Sequence, residues 1–137
     1  MEDGPVVNNG TRKYYKNGYV HREDGPAVEK ADGTREWRQK SILHRLDGPA
    51  VVHSPTDGEW WVNGKRHRED GPAVVRADGQ KEWYVDNKLH RLDGPAVIYA
   101  SGSKVWYQNG EIHRVGGPAV ENADGSKEWY QHGKKHR

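Results

Sequence analysis

The sequence predicts an all-β fold in which tandem β-hairpin repeats form an elongated, mostly antiparallel meander sheet. Histidine and tryptophan recur with a period of 23 residues, Asp-Gly and Asn-Gly pairs recur along the chain, and short runs rich in β-branched and aromatic residues lie between these pairs. The periodic residues are His21, His44, His67, His90, His113 and His136, and Trp37, Trp60, Trp83, Trp106 and Trp129. The chain is therefore a tandem array of one small unit.

Six repeats make up a single repeat domain of 137 residues. Their boundaries are 2–20, 21–43, 44–66, 67–89, 90–112 and 113–137. The first repeat is two residues short, and the third repeat moves its turn into the segment HSPTDGE. Because the repeats account for nearly every residue, we expect no separate catalytic domain.

Each repeat divides into two extended pieces, as the fourth repeat illustrates. Residues 72–77 (PAVVRA) are rich in β-branched side chains, and residues 81–85 (KEWYV) carry neighbouring aromatic residues, both of which favour strands. Asp78-Gly79 and Asn63-Gly64 are pairs that accept positive φ in tight turns. We predict one hairpin per repeat, about twelve strands in all, and a simple connection over residues 63–71.

The composition excludes several classes of function. The chain has 22 Lys and Arg against 20 Asp and Glu, and a net charge of +2 is too balanced for a typical nucleic-acid-binding domain. It has no cysteine, which excludes disulfides and thiolate chemistry. No apolar run is long enough for a membrane span or a signal peptide. We therefore expect a cytoplasmic protein with no membrane partner.

The spacing of the tryptophan and of the two turns carries a resemblance to a known family. Trp60 to Lys65 reads W-x-x-N-G-K, and Ala77 to Gly79 reads A-D-G. This spacing resembles the MORN repeat and in particular its divergent bacterial and phage variants, and the match in period covers all six repeats. The segment H-R-x-D-G-P-A-V departs from the glycine-rich loop of that family. The resemblance implies a single-layer β-sheet used as a scaffold or dimerisation surface, and the family's lipid binding does not transfer without a matching basic patch.

Alternation along the strands predicts two aromatic rows on opposite faces of the sheet. We expect the tryptophans at the 23-residue spacing to be structural, with the intervening valines and alanines filling the gaps between them. A second row contains Tyr15, Trp61, Tyr84, Tyr107 and Tyr130, and Arg38 interrupts it. A single-layer sheet leaves such a row partly exposed, and exposed aromatic stripes mark binding surfaces. The predicted partner-binding residues are Trp61, Tyr84, Tyr107 and Tyr130.

The periodic histidines predict neither a metal site nor a catalytic site. Equivalent histidines in adjacent repeats would lie about 10 Å apart, whereas zinc ligands converge to about 2 Å from one ion. A local pair such as His67 and Asp70 supplies only two ligands. The same segment has no Ser or Cys nucleophile. We expect no metal, no cofactor and no enzymatic activity, and we expect each histidine to bond to the Asp-Gly-Pro turn beside it.

A periodic row of arginines supports an alternative function, the binding of nucleic acid or nucleotides, with the aromatic rings as stacking platforms. The candidate ligand-binding residues are Arg22, Arg45, Arg68, Arg91 and Arg114. Acidic residues such as Asp24 and Asp70 follow two positions later. The opposing interpretation is that each Arg and Asp form a pair that joins one turn to the next.

Our sequence-based hypothesis is a non-enzymatic repeat scaffold that binds another protein through its extended aromatic face. In the phage or bacterial setting that the resemblance suggests, the client would be a host defence complex or a toxin. A homo-oligomer is a further expectation, because an open meander leaves two unpaired edge strands.

Overall fold

The computed structural model describes residues 4–136, and within that range the chain forms strands and turns without any helix. The all-β prediction is confirmed, as are the tandem antiparallel hairpins that form a meander. The chain divides into two compact bodies with the boundary between Lys65 and Arg66. We call them the N-terminal body and the C-terminal body.

The N-terminal body contains a meander of six strands in which successive strands pair in the order β1-β2-β4-β5-β8-β9, with β3 added to β2. The strands up to the boundary are β1 (Gly4–Asn8), β2 (Thr11–Lys16), β3 (Tyr19–Val20), β4 (Val28–Glu29), β5 (Arg35–Glu36), β6 (Arg38–Gln39), β7 (Ile42–Leu43), β8 (Val51–Ser54), β9 (Asp57–Glu59), β10 (Trp61–Val62) and β11 (Lys65–Arg66). Strands β6 and β7, and β10 and β11, pair as separate two-stranded hairpins.

The C-terminal body repeats this plan with the meander order β12-β13-β16-β17-β20-β21. Its strands are β12 (Val74–Val75), β13 (Lys81–Glu82), β14 (Tyr84–Val85), β15 (Lys88–Leu89), β16 (Val97–Ile98), β17 (Lys104–Val105), β18 (Tyr107–Gln108), β19 (Glu111–Ile112), β20 (Val120–Glu121), β21 (Lys127–Glu128), β22 (Tyr130–Gln131) and β23 (Lys134–Lys135). The pairs β14-β15, β18-β19 and β22-β23 are separate hairpins. Each body thus contributes six of the twelve predicted meander strands.

The meander turns differ from a tight two-residue turn. Gly79 has φ of 97°, and the turn is closed by the Arg76 N–H to Gln80 O bond of 2.9 Å. Asp78 contributes through its side chain, because its Oδ1 accepts the Gln80 N–H at 3.0 Å. This is a three-residue hairpin loop with glycine in the left-handed position. In the third repeat the turn moves, as the sequence predicts, and it is also shorter, because Ser54 pairs directly with Asp57.

A second hairpin in each repeat is the main departure from the predicted fold. Residues 63–71 were predicted to be a simple connection, but Asn63 and Gly64 form a tight turn with φ of 50° and 79°, and this turn joins β10 to β11. Two consecutive residues with positive φ are typical of the type I′ turn that suits a β-hairpin. The same φ pattern occurs at Asn17-Gly18, Lys40-Ser41, Asp86-Asn87, Asn109-Gly110 and His132-Gly133.

Small side chains form the fully buried core. Ala27, Ala50, Ala73, Ala96 and Ala119 are all 0% exposed, and Val28, Val51, Val74 and Val97 are at most 7% exposed. The tryptophans expected to dominate the core are half-buried instead. A thin sheet has too little material on either face to enclose an indole ring, whereas a methyl or isopropyl group is covered by its neighbours. The rings therefore act as partial covers over the alanine and valine rows.

Gly10 and Gly18 offer a matched test of how tightly neighbouring repeats pack. Both occupy the second position of a tight turn, with φ of 81° and 83°. A Cβ atom on Gly10 would lie 2.9 Å from Ala31 Cβ, whereas a Cβ atom on Gly18 would meet nothing within 4 Å. We expect Gly18→Ala to cost about 1 kcal/mol of unfolding free energy through φ strain alone, and Gly10→Ala to cost about 1 kcal/mol more through the clash. Urea denaturation measures both, and Ala31→Gly should recover the difference. Equal losses of unfolding free energy in Gly10→Ala and Gly18→Ala would contradict the close contact between Gly10 and Ala31.

Candidate functional site

The loops that connect one repeat to the next share one rigid frame built on arginine. In the loop 90–95, Arg91 Nε donates to Asp93 Oδ1 at 3.0 Å and Nη1 donates to the Pro95 carbonyl at 3.1 Å. Its guanidinium lies 4.0 Å from the centre of the Trp83 ring, a cation–π distance. It also lies against Gly94, where a Cβ atom would come within 2.8 Å of Cζ. A side chain at this position would therefore push the guanidinium out of the place where it is bonded.

The same frame recurs along the chain. Nε donates to an aspartate at 2.9–3.0 Å and Nη1 donates to a proline carbonyl at 3.1–3.2 Å in Arg22, Arg45 and Arg68 as well. Arg22 stacks on Tyr14 and Arg45 on Trp37, at 4.0 and 3.9 Å. The Arg45 hydrogen bond, followed by its charge, lowers the pKa of Asp47. Arg22, Arg45, Arg68 and Arg91 thus each pair with an aspartate, as the opposing interpretation predicts, but the pair lies within one loop and does not join one turn to the next.

The fifth loop keeps the frame although it lacks the aspartate. Gly116 stands at that position, and Arg114 Nη1 donates to Glu121 Oε2 at 3.3 Å instead. The bond to the Pro118 carbonyl at 3.1 Å and the 4.0 Å stacking on Trp106 are retained. The arginine thus serves the loop structure in all five loops. In every one of these loops the arginine donates at least one N–H to another group of the protein. The predicted arginine row therefore has fewer N–H groups left to bind an external phosphate than the sequence suggests.

The periodic histidines, each at the start of a repeat, bind the tight turn near the end of the same repeat. His90 Nδ1 accepts the Asn109 N–H at 3.0 Å, and His21, His44, His67 and His113 each accept a backbone N–H 19 residues later in the same way. An acceptor Nδ1 places the ring hydrogen of a neutral histidine on Nε2. The expected bond to the neighbouring Asp-Gly-Pro turn is therefore replaced by a bond to the next tight turn. In two loops Nε2 lies 3.1 Å from a glutamate, Glu23 or Glu69.

The third position of each loop points outward and varies. It is occupied by Glu23, Leu46, Glu69, Leu92 and Val115. Leu46, Leu92 and Val115 are 74%, 77% and 73% exposed, the highest values among the large apolar residues of the described chain. Sequence reasoning missed these positions, although the alternation of Glu with an apolar residue inside an otherwise constant motif was the available signal.

Neighbouring loops enclose grooves at equivalent places in the two bodies. The groove in the N-terminal body is about 660 Å³ and that in the C-terminal body is about 730 Å³. Trp37, His44 and Leu46 line the first, and their counterparts two repeats later, Trp83, His90 and Leu92, line the second. Three carboxylates border each groove: Glu23, Asp24 and Asp47 in one, and Glu69, Asp70 and Asp93 in the other. Two arginines also line each groove and pair with its two aspartates, so each groove combines an indole ring and an exposed leucine with one further carboxylate, Glu23 or Glu69.

The predicted partner-binding row is half-buried and its polar tips are bonded within the protein. Tyr84 OH donates to Glu82 Oε1 at 2.9 Å, and the side chains of these two residues share a face as predicted. Burial, followed by the Glu82 hydrogen bond, raises the pKa of Tyr84. Trp61 Nε1 donates to Glu59 and Tyr130 OH to Glu128, at 2.9 and 3.1 Å. Tyr107 is also half-buried, and burial raises its pKa.

The described residues form neither a metal site nor a membrane-spanning helix. Between residues 4 and 136, no group of three or more His, Asp or Glu side chains is placed to hold a metal ion. The same range contains no helix that is long and apolar enough to cross a membrane. The loops, the grooves and the second aromatic row are therefore the candidate surfaces.

No protein-family profile matches the sequence, and a search of curated proteins finds no match.

Proposed function

We propose that the protein is a non-enzymatic repeat module, a divergent relative of MORN repeats, that binds another protein through its row of loops. The observation that carries the proposal is the contrast between a constant loop frame and a varying, exposed third position. Leu92 and Val115 occupy this position in consecutive loops and are more than 70% exposed. Repeat proteins bind partners in this way, with a fixed scaffold and variable outward residues.

The rigidity of the loops favours binding. Arg91 is fixed by two hydrogen bonds and a ring, and His90 ties the same loop to the following turn. A loop that is already ordered loses little conformational entropy when a partner docks. Single exposed leucines are common on protein surfaces, but here apolar side chains recur at one position of one rigid motif. Exposed apolar side chains beside balanced Arg–Asp pairs fit a partner that buries apolar side chains of its own.

The second aromatic row is the other surface that could serve the same function. Trp61, Tyr84, Tyr107 and Tyr130 keep part of each ring exposed, but for Trp61, Tyr84 and Tyr130 the hydrogen-bonding tips point to glutamates of the same repeat. From the family resemblance we extend the proposal to a phage or bacterial setting, with a host defence complex or a toxin as the client. Self-association through either surface is part of the proposal.

The test is an affinity pull-down from lysate, with and without nuclease, using the wild type and a loop variant, Leu46→Ser/Leu92→Ser/Val115→Ser. We expect a nuclease-resistant protein partner whose affinity falls at least about tenfold in the loop variant, because burying one leucine contributes about 1.5–3 kcal/mol. Val6→Ser/Val7→Ser is the matched control, since both valines are exposed but lie in β1. It should bind normally.

Other outcomes would redirect or refute the proposal. Retention that nuclease abolishes would support the arginine-row alternative. Unchanged binding by the loop variant, combined with loss in Tyr107→Ser, would assign the surface to the second aromatic row.

A further inference from the structure

A groove in the N-terminal body differs from the loop grooves in both place and chemistry. It has a volume of about 670 Å³ and lies on the sheet surface formed by β1, β2, β4 and β5. The register pairs Val6 with Lys13, Lys13 with Val28, and Val28 with Glu36, so these four side chains follow one line across one face. Val28 is 4% exposed and forms the floor.

Two residues in this groove break the repeat pattern, and both substitutions add positive charge. Lys13 occupies the repeat position that holds glutamate in four other repeats, at Glu36, Glu59, Glu82 and Glu128. Arg38 occupies the position of the second aromatic row. Lys30 also lines the groove, so three cations surround one carboxylate, Glu36.

The internal bonds leave the two lysines as the available donors. Glu36 accepts from Arg38 Nε at 2.8 Å and from Lys30 Nζ at 3.2 Å. Its side chain is only 12% exposed, and although burial acts to raise its pKa, these two bonds outweigh burial and the pKa is lowered. Arg38 Nη1 also donates to the Ser41 carbonyl at 2.8 Å, which fixes its guanidinium. Glu36 therefore stays ionised and neutralises one of the three cations, which leaves the groove with a net charge of +2.

Lys13 and Lys30 can reach one anion. Lys13 pairs with Val28 in β4, and Lys30 follows two residues later, so the two lysines are diagonal neighbours at a Cα distance of about 7–8 Å. Each ammonium has three donors, of which Lys30 commits one to Glu36. Tyr15, two residues after Lys13 on the same face of β2, and Val20 add an aromatic and an aliphatic wall.

We infer that this groove binds a small organic phosphate with a planar ring, the chemistry of a mononucleotide, with Lys13 and Lys30 on the phosphate and Tyr15 against the ring. Its volume lies within the range of about 300–1,000 Å³ typical of small-molecule sites. The inference is independent of the proposed protein binding, because it involves neither the loops nor their exposed residues.

The probes are adenosine monophosphate and inorganic phosphate, titrated into the full chain and measured by calorimetry and by amide chemical shifts. We expect adenosine monophosphate to bind in the millimolar range or tighter, at least about tenfold more tightly than inorganic phosphate, because the ring adds about 1–3 kcal/mol of stacking. The shifted amides should lie in β2 and β4. No binding of adenosine monophosphate below about 10 mM, or equal affinities for the two probes, would overturn the inference.

Matched variants distinguish binding at a specific site from general attraction to a positively charged protein. Lys13→Gln/Lys30→Gln should weaken adenosine monophosphate binding at least about tenfold. Lys81→Gln/Lys104→Gln removes the same charge from two exposed lysines that do not line the groove. This control should change the affinity by less than about twofold, because exposed charges outside the site are screened. An equal loss in both variants would overturn the inference. The loop variant Leu46→Ser/Leu92→Ser/Val115→Ser should bind adenosine monophosphate normally, so failure of the protein-binding proposal and failure of this one are distinguishable. A thymidine oligonucleotide is a further competitor. If it displaces adenosine monophosphate only when Lys81 and Lys104 are intact, the nucleotide binds the sheet outside this groove and the inference is overturned.

Discussion

Replacing Trp83 by alanine is expected to lower the free energy of unfolding by about 3 kcal/mol, the lower end of the range for tryptophan to alanine. The lower end applies because the ring is half-buried. The backbone N–H of Trp83 donates to the carbonyl of the fully buried Ala96 at 2.7 Å, so the ring is attached beside the buried alanine row. Loss of the ring also removes the surface on which the Arg91 guanidinium rests, 4.0 Å from the ring centre.

Leu92→Ala is the matched control for this experiment, because Leu92 lines the same groove as Trp83 but is 77% exposed. We expect it to change stability by less than about 0.5 kcal/mol. Urea denaturation followed by circular dichroism measures both variants, and a decrease in the m-value for Trp83→Ala would indicate that the array no longer unfolds as one unit. Equal stability of the two variants would mean that the Trp83 ring does not stabilise the fold.

The period and the meander could be predicted from the sequence, but the second hairpins could not. Their strands are two residues long, too short for alternation to give a signal. Their turns also hide the pattern: Lys40-Ser41 and Asp86-Asn87 adopt the same φ values as Asn63-Gly64 without a glycine. Ser41 and Asn87 are compensated by side-chain bonds to the preceding hairpin, at 3.1 and 3.4 Å. Such compensation depends on tertiary contacts that local propensity does not encode.

The roles of the charged residues required the three-dimensional path of the chain. The sequence shows a periodic arginine, but not that Arg91 folds back over Trp83, eight residues earlier. It shows Lys13 and Lys30, but only the register of β2 with β4 makes them diagonal neighbours. The exposed third position of the loops was visible as a pattern. The sequence does not show that this side chain faces solvent. That follows from the structure, in which the neighbouring arginine and histidine form hydrogen bonds within the protein.

Replacing Arg91 by methionine is expected to lower the free energy of unfolding by about 2–3 kcal/mol. The arginine side chain is 24% exposed, and methionine retains much of its apolar contact with the ring while removing every polar bond. The bond to the Pro95 carbonyl involves a charged donor and contributes about 1.5 kcal/mol or more, and the cation–π contact adds about 0.5–1 kcal/mol. The ion pair contributes least, because the Asp93 side chain is 88% exposed.

Two further variants test that order of contributions. Arg91→Lys should recover less than half of the loss, since one ammonium cannot donate to Asp93 and Pro95 in the planar arrangement of a guanidinium while stacking on Trp83. Asp93→Asn should cost less than about 1 kcal/mol, as the fifth loop suggests by keeping its frame with Gly116 at that position. A double-mutant cycle with Trp83→Leu should give a coupling energy of about 0.5–1 kcal/mol between ring and guanidinium. Full rescue by lysine, or a larger loss in Asp93→Asn than in Arg91→Met, would show that the loop is held by charge pairing alone and that the stacked frame does not stabilise it.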